Sequence, residues 1–157
     1  MSIYVIHYAS LLLSLVIFIS DRVTKNYFLE HQEIQEWGSY IHFHTVHNTG
    51  ISWNLFATQN ALWYQVISVI IILILVLICI FLRNKWVTGK LMLGELLVIM
   101  GGLSNLIDRY MYNFVIDFIS VTIAFREYVI TFPALFNLAD VSIVLGVCIM
   151  FIWLLQE

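Results

Sequence analysis

Four aspartates, Asp21, Asp108, Asp117 and Asp140, sit at or beside the ends of long apolar runs in an otherwise oily chain. A carboxylate held near hydrocarbon costs roughly a few kcal/mol, so its retention points to a function. Two carboxylates brought close together cannot both ionise cheaply. One pKa rises, the pair shares a proton, and such a pair can activate water while polarising a carbonyl. The chemistry indicated is hydrolysis at a membrane surface. Asp21 has Lys25 one turn on, and Asp108 has Arg109 beside it and Asn105 one turn back. A salt-bridged aspartate stays ionised and suits scaffolding. Asp117 and Asp140 have no basic residue within four positions. That favours them as the pair and leaves the other combinations open.

The elements that must position these groups follow from composition. Of 157 residues, 62% are hydrophobic and 11% charged, against roughly half and a quarter in soluble domains. The expected fold class is an α-helical integral membrane protein, one domain over residues 1–157. A net charge of −3 and the lack of any Lys/Arg cluster exclude nucleic acid as partner. A membrane-crossing helix needs about 20 mostly apolar residues, and the candidates are Ile3–Ile19, Ala61–Leu82, Leu91–Ile107 and Ala134–Leu155. The first lacks a basic leader and a small-residue cleavage site, so it reads as a retained anchor.

Residues 83–90 form a short connection with Arg83, Lys85 and Lys90, which favours the cytoplasm. The long connection 26–60 has no Lys or Arg and carries Glu30, Glu33 and Glu36. It therefore lies outside, as does 109–133, with both termini cytosolic. Arg22, Lys25, Arg109 and Arg126 then fall on the outer side, three of them near an acid that can pair with them. Tyr40 to Val46 alternates polar and apolar residues, while 115–123 and 128–132 are rich in β-branched and aromatic residues. A small outer sheet is expected, with Pro133 just ahead of the last helix. This topology delivers Asp21 and Lys25, then Asn105, Asp108 and Arg109, then Asn137 and Asp140, to one membrane surface. Asp117 lies on the outer connection beside them.

Other features have plainer readings. Cys79 and Cys148 fall inside apolar runs and read as buried, inert thiols. His42 and His44 share a strand face and with His47 could approach a metal, but acidic ligands are not evident nearby, so no metal or cofactor is expected. Trp37, Trp53, Trp63 and Trp86 suit the membrane interface. Glu95 can reach the interface or pair with Lys90.

Five ordered blocks resemble the bacterial lipoprotein signal peptidases (signal peptidase II). They are Asp21 to Lys25, Asn48-Thr-Gly50, Gly101 to Arg109 through Asn105 and Asp108, Val115 to Phe118 around Asp117, and Phe136-Asn137-Leu-Ala-Asp140. The resemblance implies an integral-membrane aspartic endopeptidase with a small extracytoplasmic β-cradle. It would cut diacylglyceryl-modified prolipoproteins before the lipidated cysteine, in the cytoplasmic (inner) membrane with its site facing outward. It implies Asp117 and Asp140 as the catalytic pair, with Asn48, Gly50, Asn105, Asp108, Arg109 and Asn137 lining a site for substrate and globomycin-type inhibitors. Asp21 and Lys25 would support them. Membrane lipid is the remaining partner. The chain departs from the family pattern at Ser104, where Gly is usual, at Val141, where Ser is common, and by one extra residue before Asn137. A rival from another class is an inactive relative acting as a lipoprotein-binding scaffold. A proton or ion conductor fits less well, since the middles of the second and fourth spans carry no ionisable group.

Overall fold

The computed structural model describes residues 3–31, 35–37, 40–50, 60–125, 128–131 and 135–156. Trp53, Arg126 and Pro133, and the side chains of Glu33, Glu36 and Trp37, lie outside what it describes. Its order is α1 (Ile3–Glu30), β1 (Gln35–Trp37), β2 (Ile41–Asn48), α2 (Ala61–Thr88), α3 (Leu93–Tyr112), β3 (Val115–Phe125), β4 (Tyr128–Thr131) and α4 (Leu138–Leu154).

The first helix is turned inside out relative to a soluble one. It buries His7, Ser10, Ser14, Asp21, Lys25 and Phe28, a mostly polar stripe at helical spacing. Leu12, Val16 and Ile19 point outward. Polar groups inside and aliphatic ones outside is the arrangement hydrocarbon selects. Among the described residues, α1 and α2 are long and apolar enough to cross a membrane. At 28 residues each, they reach roughly 42 Å. The third helix is central and packs against the other three, while α2 and α4 make few or no contacts with each other.

Glycine sets how closely α3 and α4 approach. A Cβ on Gly101 would lie 2.6 Å from the Ala139 carbonyl oxygen, and one on Gly146 would lie 2.6 Å from the Gly94 oxygen. Only hydrogen fits at these crossings. The pairings also show α4 running antiparallel to α3. Asp21 and Lys25 beside Ser104 and Asn105, with His7 bonded to the Lys90 carbonyl at 3.0 Å, show α1 parallel to it. The chain thus runs up and down, and the three helix ends that carry aspartates, those of α1, α3 and α4, meet.

The sheet has the order β1-β2-β3-β4, all antiparallel. Between Phe43 and Val46 the β2–β3 register slips by one residue. A one-residue slip moves every later side chain to the opposite face. Val46 therefore stands opposite Asp117, and Asn48, two residues on, shares Asp117's face. Phe28 stacks on Phe118 and Phe43 with centroids 4.5 and 5.4 Å apart, and Thr45 Oγ1 donates to the Phe28 carbonyl at 2.7 Å. The sheet is thereby seated on the end of α1.

Several boundaries correct the expectation. The first helix continues to Glu30, so residues 26–30 are helix rather than loop. The second runs to Thr88 and absorbs most of 83–90 before Gly89, at φ 67, caps it. The third starts at Leu93 and carries Arg109 to Tyr112 as helix, and the fourth starts at Leu138 instead of Ala134. Polar residues continue each helix because its backbone groups are satisfied internally, which hydropathy does not register. Cys79 and Cys148 are exposed on the outer surface, not buried. Glu95 pairs with Lys85 at 2.7 Å, not with Lys90.

Candidate active site

At the end of the bundle beneath the sheet, Lys25 is the centre of a buried ionic cluster. Its ammonium lies 2.9 Å from Asp21 Oδ2 and 2.8 Å from Asp108 Oδ2, with all three side chains fully buried. Asp108 also pairs with Arg22 through Oδ1. Ser104 Oγ donates to Asp21 Oδ2 at 2.6 Å, and the Ala139 amide donates to Asp21 Oδ1 at 2.9 Å. Asp21 thus ties α1 to both α3 and α4. Two cations match two anions here, so the cluster is electrically closed.

From it one bond leads to the second pair of acids. Lys25 donates to Asn105 Oδ1 at 2.7 Å, which turns the amide nitrogen of Asn105 toward Asp140 Oδ1, 2.9 Å away. Asn137 then joins Asp140 to Asp117. Its side-chain oxygen accepts the Asp140 amide at 2.9 Å, its own amide faces Asp140 Oδ2 at 3.3 Å, and its Nδ2 donates to Asp117 Oδ1 at 2.7 Å. The first two bonds form a capping box at the start of α4. Asn48 Nδ2 completes the set by donating to Asp117 Oδ2 at 2.7 Å.

Asn137 can reach Asp117 because the strand feeding α4 is held against β3. Phe136 exchanges backbone bonds with Ile119, at 2.9 and 3.1 Å, and accepts a third from Phe118 at 3.2 Å. Asp117 itself is 2% exposed, between buried Ile116 and Phe118. Burial pushes its carboxyl up from 3.8 to about 7, and the charge of Asp140 acts in the same direction. The bonds from Asn48 and Asn137 and the charge of Lys25 pull it back only in part.

The third cation stands apart. Arg109 donates from Nη2 to the Gly50 carbonyl, and Gly50's own amide is held by Asn48 Oδ1 at 2.8 Å. Its guanidinium lies 5.1 Å from the Tyr64 ring centroid and within electrostatic reach of Asp117 and Asp140. Its Nε and Nη1 groups are buried without a hydrogen bond among the described residues. One cation therefore faces two carboxylates, and a single shared proton closes that balance.

Between α2, α3 and α4 the site opens on a cavity of about 170 Å³. Asn48, Asn105, Arg109 and Asp140 form its polar end, and Ile71, Leu75, Val98 and Ile143 its apolar wall.

All ten residues singled out from sequence meet in this one assembly. The partnerships differ from expectation in one respect: Asp108 pairs with Arg22 and Lys25, while its neighbour Arg109 turns away toward Gly50. Adjacent helix residues point about 100° apart, so sequence adjacency was the wrong guide. Arg22, Ser104 and Tyr64 were missed. Arg22 and Ser104 stood out in the sequence only as a cation among those near an acid and as a departure from the family pattern, not as site residues. Tyr64 carries no such signal. Among the described residues, no group of three or more His, Cys, Asp or Glu is placed to hold a metal.

The sequence pattern of the family described as signal peptidase (SPase) II matches residues 13–156. A lipoprotein signal peptidase of Lactobacillus johnsonii is 32% identical over 149 residues, covering 92% of this chain and 90% of the relative. One from Lactococcus lactis is 30% identical over 154 residues, covering 93% and 95%. A solved bacterial membrane enzyme superposes with a TM-score of 0.72 at 24% identity, covering 94% of this chain and 88% of that one.

Proposed function

The chain belongs to the signal peptidase II family, and from that premise we propose that it is an aspartic endopeptidase using Asp117 and Asp140. Its substrates are prolipoproteins carrying a diacylglyceryl group, cut before the modified cysteine. All four helices cross the bacterial inner membrane, with the termini cytoplasmic and the site at the outer face.

The observation that carries this reading is the joining of Asp117 and Asp140 by one residue, Asn137, in a pocket short of one cation. One carboxylate takes a proton from water as the water attacks the scissile carbonyl. The other, protonated, donates to the carbonyl oxygen, and collapse of the tetrahedral intermediate returns a proton to the leaving amine. The raised position of Asp117 suits a group that must hold a proton near neutral pH. Asn105, Asn48 and Asn137 fix which carboxylate oxygens face the water. Arg109 has donors, Nε and Nη1, without a partner among the described residues and so suited to peptide or ester oxygens. The apolar wall of the cavity suits the hydrocarbon part of a lipidated substrate, and globomycin-type inhibitors would occupy the same space.

The test is cleavage of a lipid-modified prolipoprotein by purified protein, with Asp117→Asn and Asp140→Asn compared after membrane insertion is confirmed. Each substitution is expected to abolish turnover. Full activity in either would reject the pair, and no cleavage by the unmodified chain would favour the scaffold reading.

A further inference from the structure

The end of the bundle opposite the aspartates carries a second polar recess. Glu95 begins α3 and Asp108 lies near its end, roughly 20 Å away along the helix. The recess lies between α2 and α4, which both pack on α3 and leave a cleft between them. Its volume is about 580 Å³, larger than the cavity at the aspartates. Asn84, Lys85, Lys90 and Glu95 line it together with apolar groups that include Phe81, Val147 and Leu154. Those three are also exposed on the outside of the helices, so the recess opens directly toward the surrounding hydrocarbon.

Glu95 is the feature that calls for a ligand. Its side chain is 3% exposed, Oε1 accepts from Lys85 at 2.7 Å, and Oε2 is buried with no partner among the described residues. A buried carboxylate oxygen left without a donor is costly, and a charged one more so. Lys85 keeps part of its surface open, lies 5.6 Å from the Trp153 ring centroid, and offers donors beyond the one given to Glu95. The wall of one recess therefore holds a buried carboxylate oxygen that lacks an N–H, next to the Lys85 ammonium suited to a phosphate, above an apolar surface.

We propose that this recess binds one phospholipid whose headgroup carries both a phosphate and a primary amine, the amine on Glu95 Oε2 and the phosphate on Lys85. Its acyl chains lie along Phe81, Val147 and Leu154. The membrane placement rests on the helices crossing the bilayer as read above, which sets the recess in the cytoplasmic leaflet. Neither the aspartates nor cleavage enters.

Full-length protein stripped of lipid in detergent can be offered three lipids with identical chains, and retention read by native mass spectrometry. Their headgroups are ethanolamine, choline and glycerol. Choline keeps the phosphate and positive charge but has no N–H. One ethanolamine lipid is expected to be held about tenfold or more strongly than the choline lipid, the scale of a hydrogen bond to a charged group. Glu95→Gln should erase that preference: with its oxygen kept on Lys85, the amide turns a donor toward the recess where an acceptor stood. Val147→Trp fills the recess without touching any charge and should lower retention of the ethanolamine lipid. This second variant decides the matter if the first fails to fold. Equal retention of ethanolamine and choline lipids by the unmodified chain would overturn the proposal, as would undiminished retention of the ethanolamine lipid in Val147→Trp. Soluble phosphoethanolamine displacing the lipid at equal concentration would overturn it too, by showing that the chains contribute nothing.

Discussion

The two ends of the cleft between α2 and α4 treat buried carboxylates in opposite ways. At the sheet end, every oxygen of Asp21, Asp108, Asp117 and Asp140 accepts at least one bond, from Lys25, Arg22, Ser104, three asparagine side chains or backbone amides. At the other end, Glu95 has one oxygen on Lys85 and, among the described residues, no partner for the other. Full satisfaction fixes geometry, which hydrolysis by a proton-sharing pair demands. A half-satisfied group suits a partner that comes and goes.

The same chemical change should separate the two ends most sharply. Asp108→Asn places an NH2 group against either Arg22 or Lys25, since each oxygen already faces a cation. The loss expected is about 3–5 kcal/mol, the cost of breaking a buried ion pair from one side. Glu95→Gln can keep its oxygen on Lys85 and turn its NH2 toward the open recess, so about 1 kcal/mol or less is expected. Denaturant unfolding in a fixed detergent measures both. Equal losses would mean that Glu95 is as fully built in as Asp108.

Helix crossings give a second contrast. Gly101→Ala would push a methyl into the Ala139 carbonyl, next to Asp140, while Gly94→Ala would meet Met150 and the Gly146 carbonyl at the far end. Each overpacks the α3–α4 contact by about 1–3 kcal/mol. Only the first displaces Asp140 from Asn105, and a shift of even about 1 Å can lower turnover up to roughly a hundredfold. The kcat of the two variants at matched stability is the measurement. Similar kcat values would show that the dyad tolerates movement of α4.

Much of the sheet-end assembly could be read from sequence because its members are rare residue types for an oily chain, and the up-and-down topology leaves only two ends for them to occupy. Strands β2, β3 and β4 were legible for a similar reason: alternation at β2 and β-branched runs at β3 and β4 stand out from the helical apolar runs, while the short β1 carried no such signal. Partner choice was not legible. Whether Asp108 meets Arg109 or Lys25 depends on helix rotation, and whether Asn48 faces Asp117 depends on a single slipped residue in β2. Helix ends also escaped, because Asn26 to Glu30 and Arg83 to Thr88 look like loop by polarity while their backbone bonds stay helical.

The raised carboxyl of Asp117 gives the site a pH signature. With a folded value of about 7 against 3.8, the folded protein binds more protons than the unfolded chain between those values. Stability from this group is therefore fully present below pH 3.8 and is lost as pH rises through about 7. Asp117→Asn removes the titration, so the difference in melting temperature between wild type and variant should change across that window and stay flat above it. A constant difference from pH 4 to 8 would mean that Asp117 is ionised throughout.

The smallest effect expected is at Ser104, and it tests how the closed cluster shares its bonds. Ser104→Ala keeps the Cβ that fits against α1 and deletes the hydroxyl that donates to Asp21 Oδ2 and accepts a long bond from Arg22 Nη1 at 3.5 Å. Asp21 retains Lys25 on the same oxygen and the Ala139 amide on the other. The Ser104 carbonyl, which accepts from Arg22 at 3.2 Å, is unaffected. A single hydrogen bond to a charged group with a surviving partner is worth about 1–2 kcal/mol, or a fall of roughly 2–8 °C in melting temperature. Turnover should hold, because the path from Lys25 through Asn105 to Asp140 does not pass through this hydroxyl. A large drop in kcat with little change in stability would instead place Ser104 among the groups that orient the pair, coupled to it through Asp21 and the Ala139 amide.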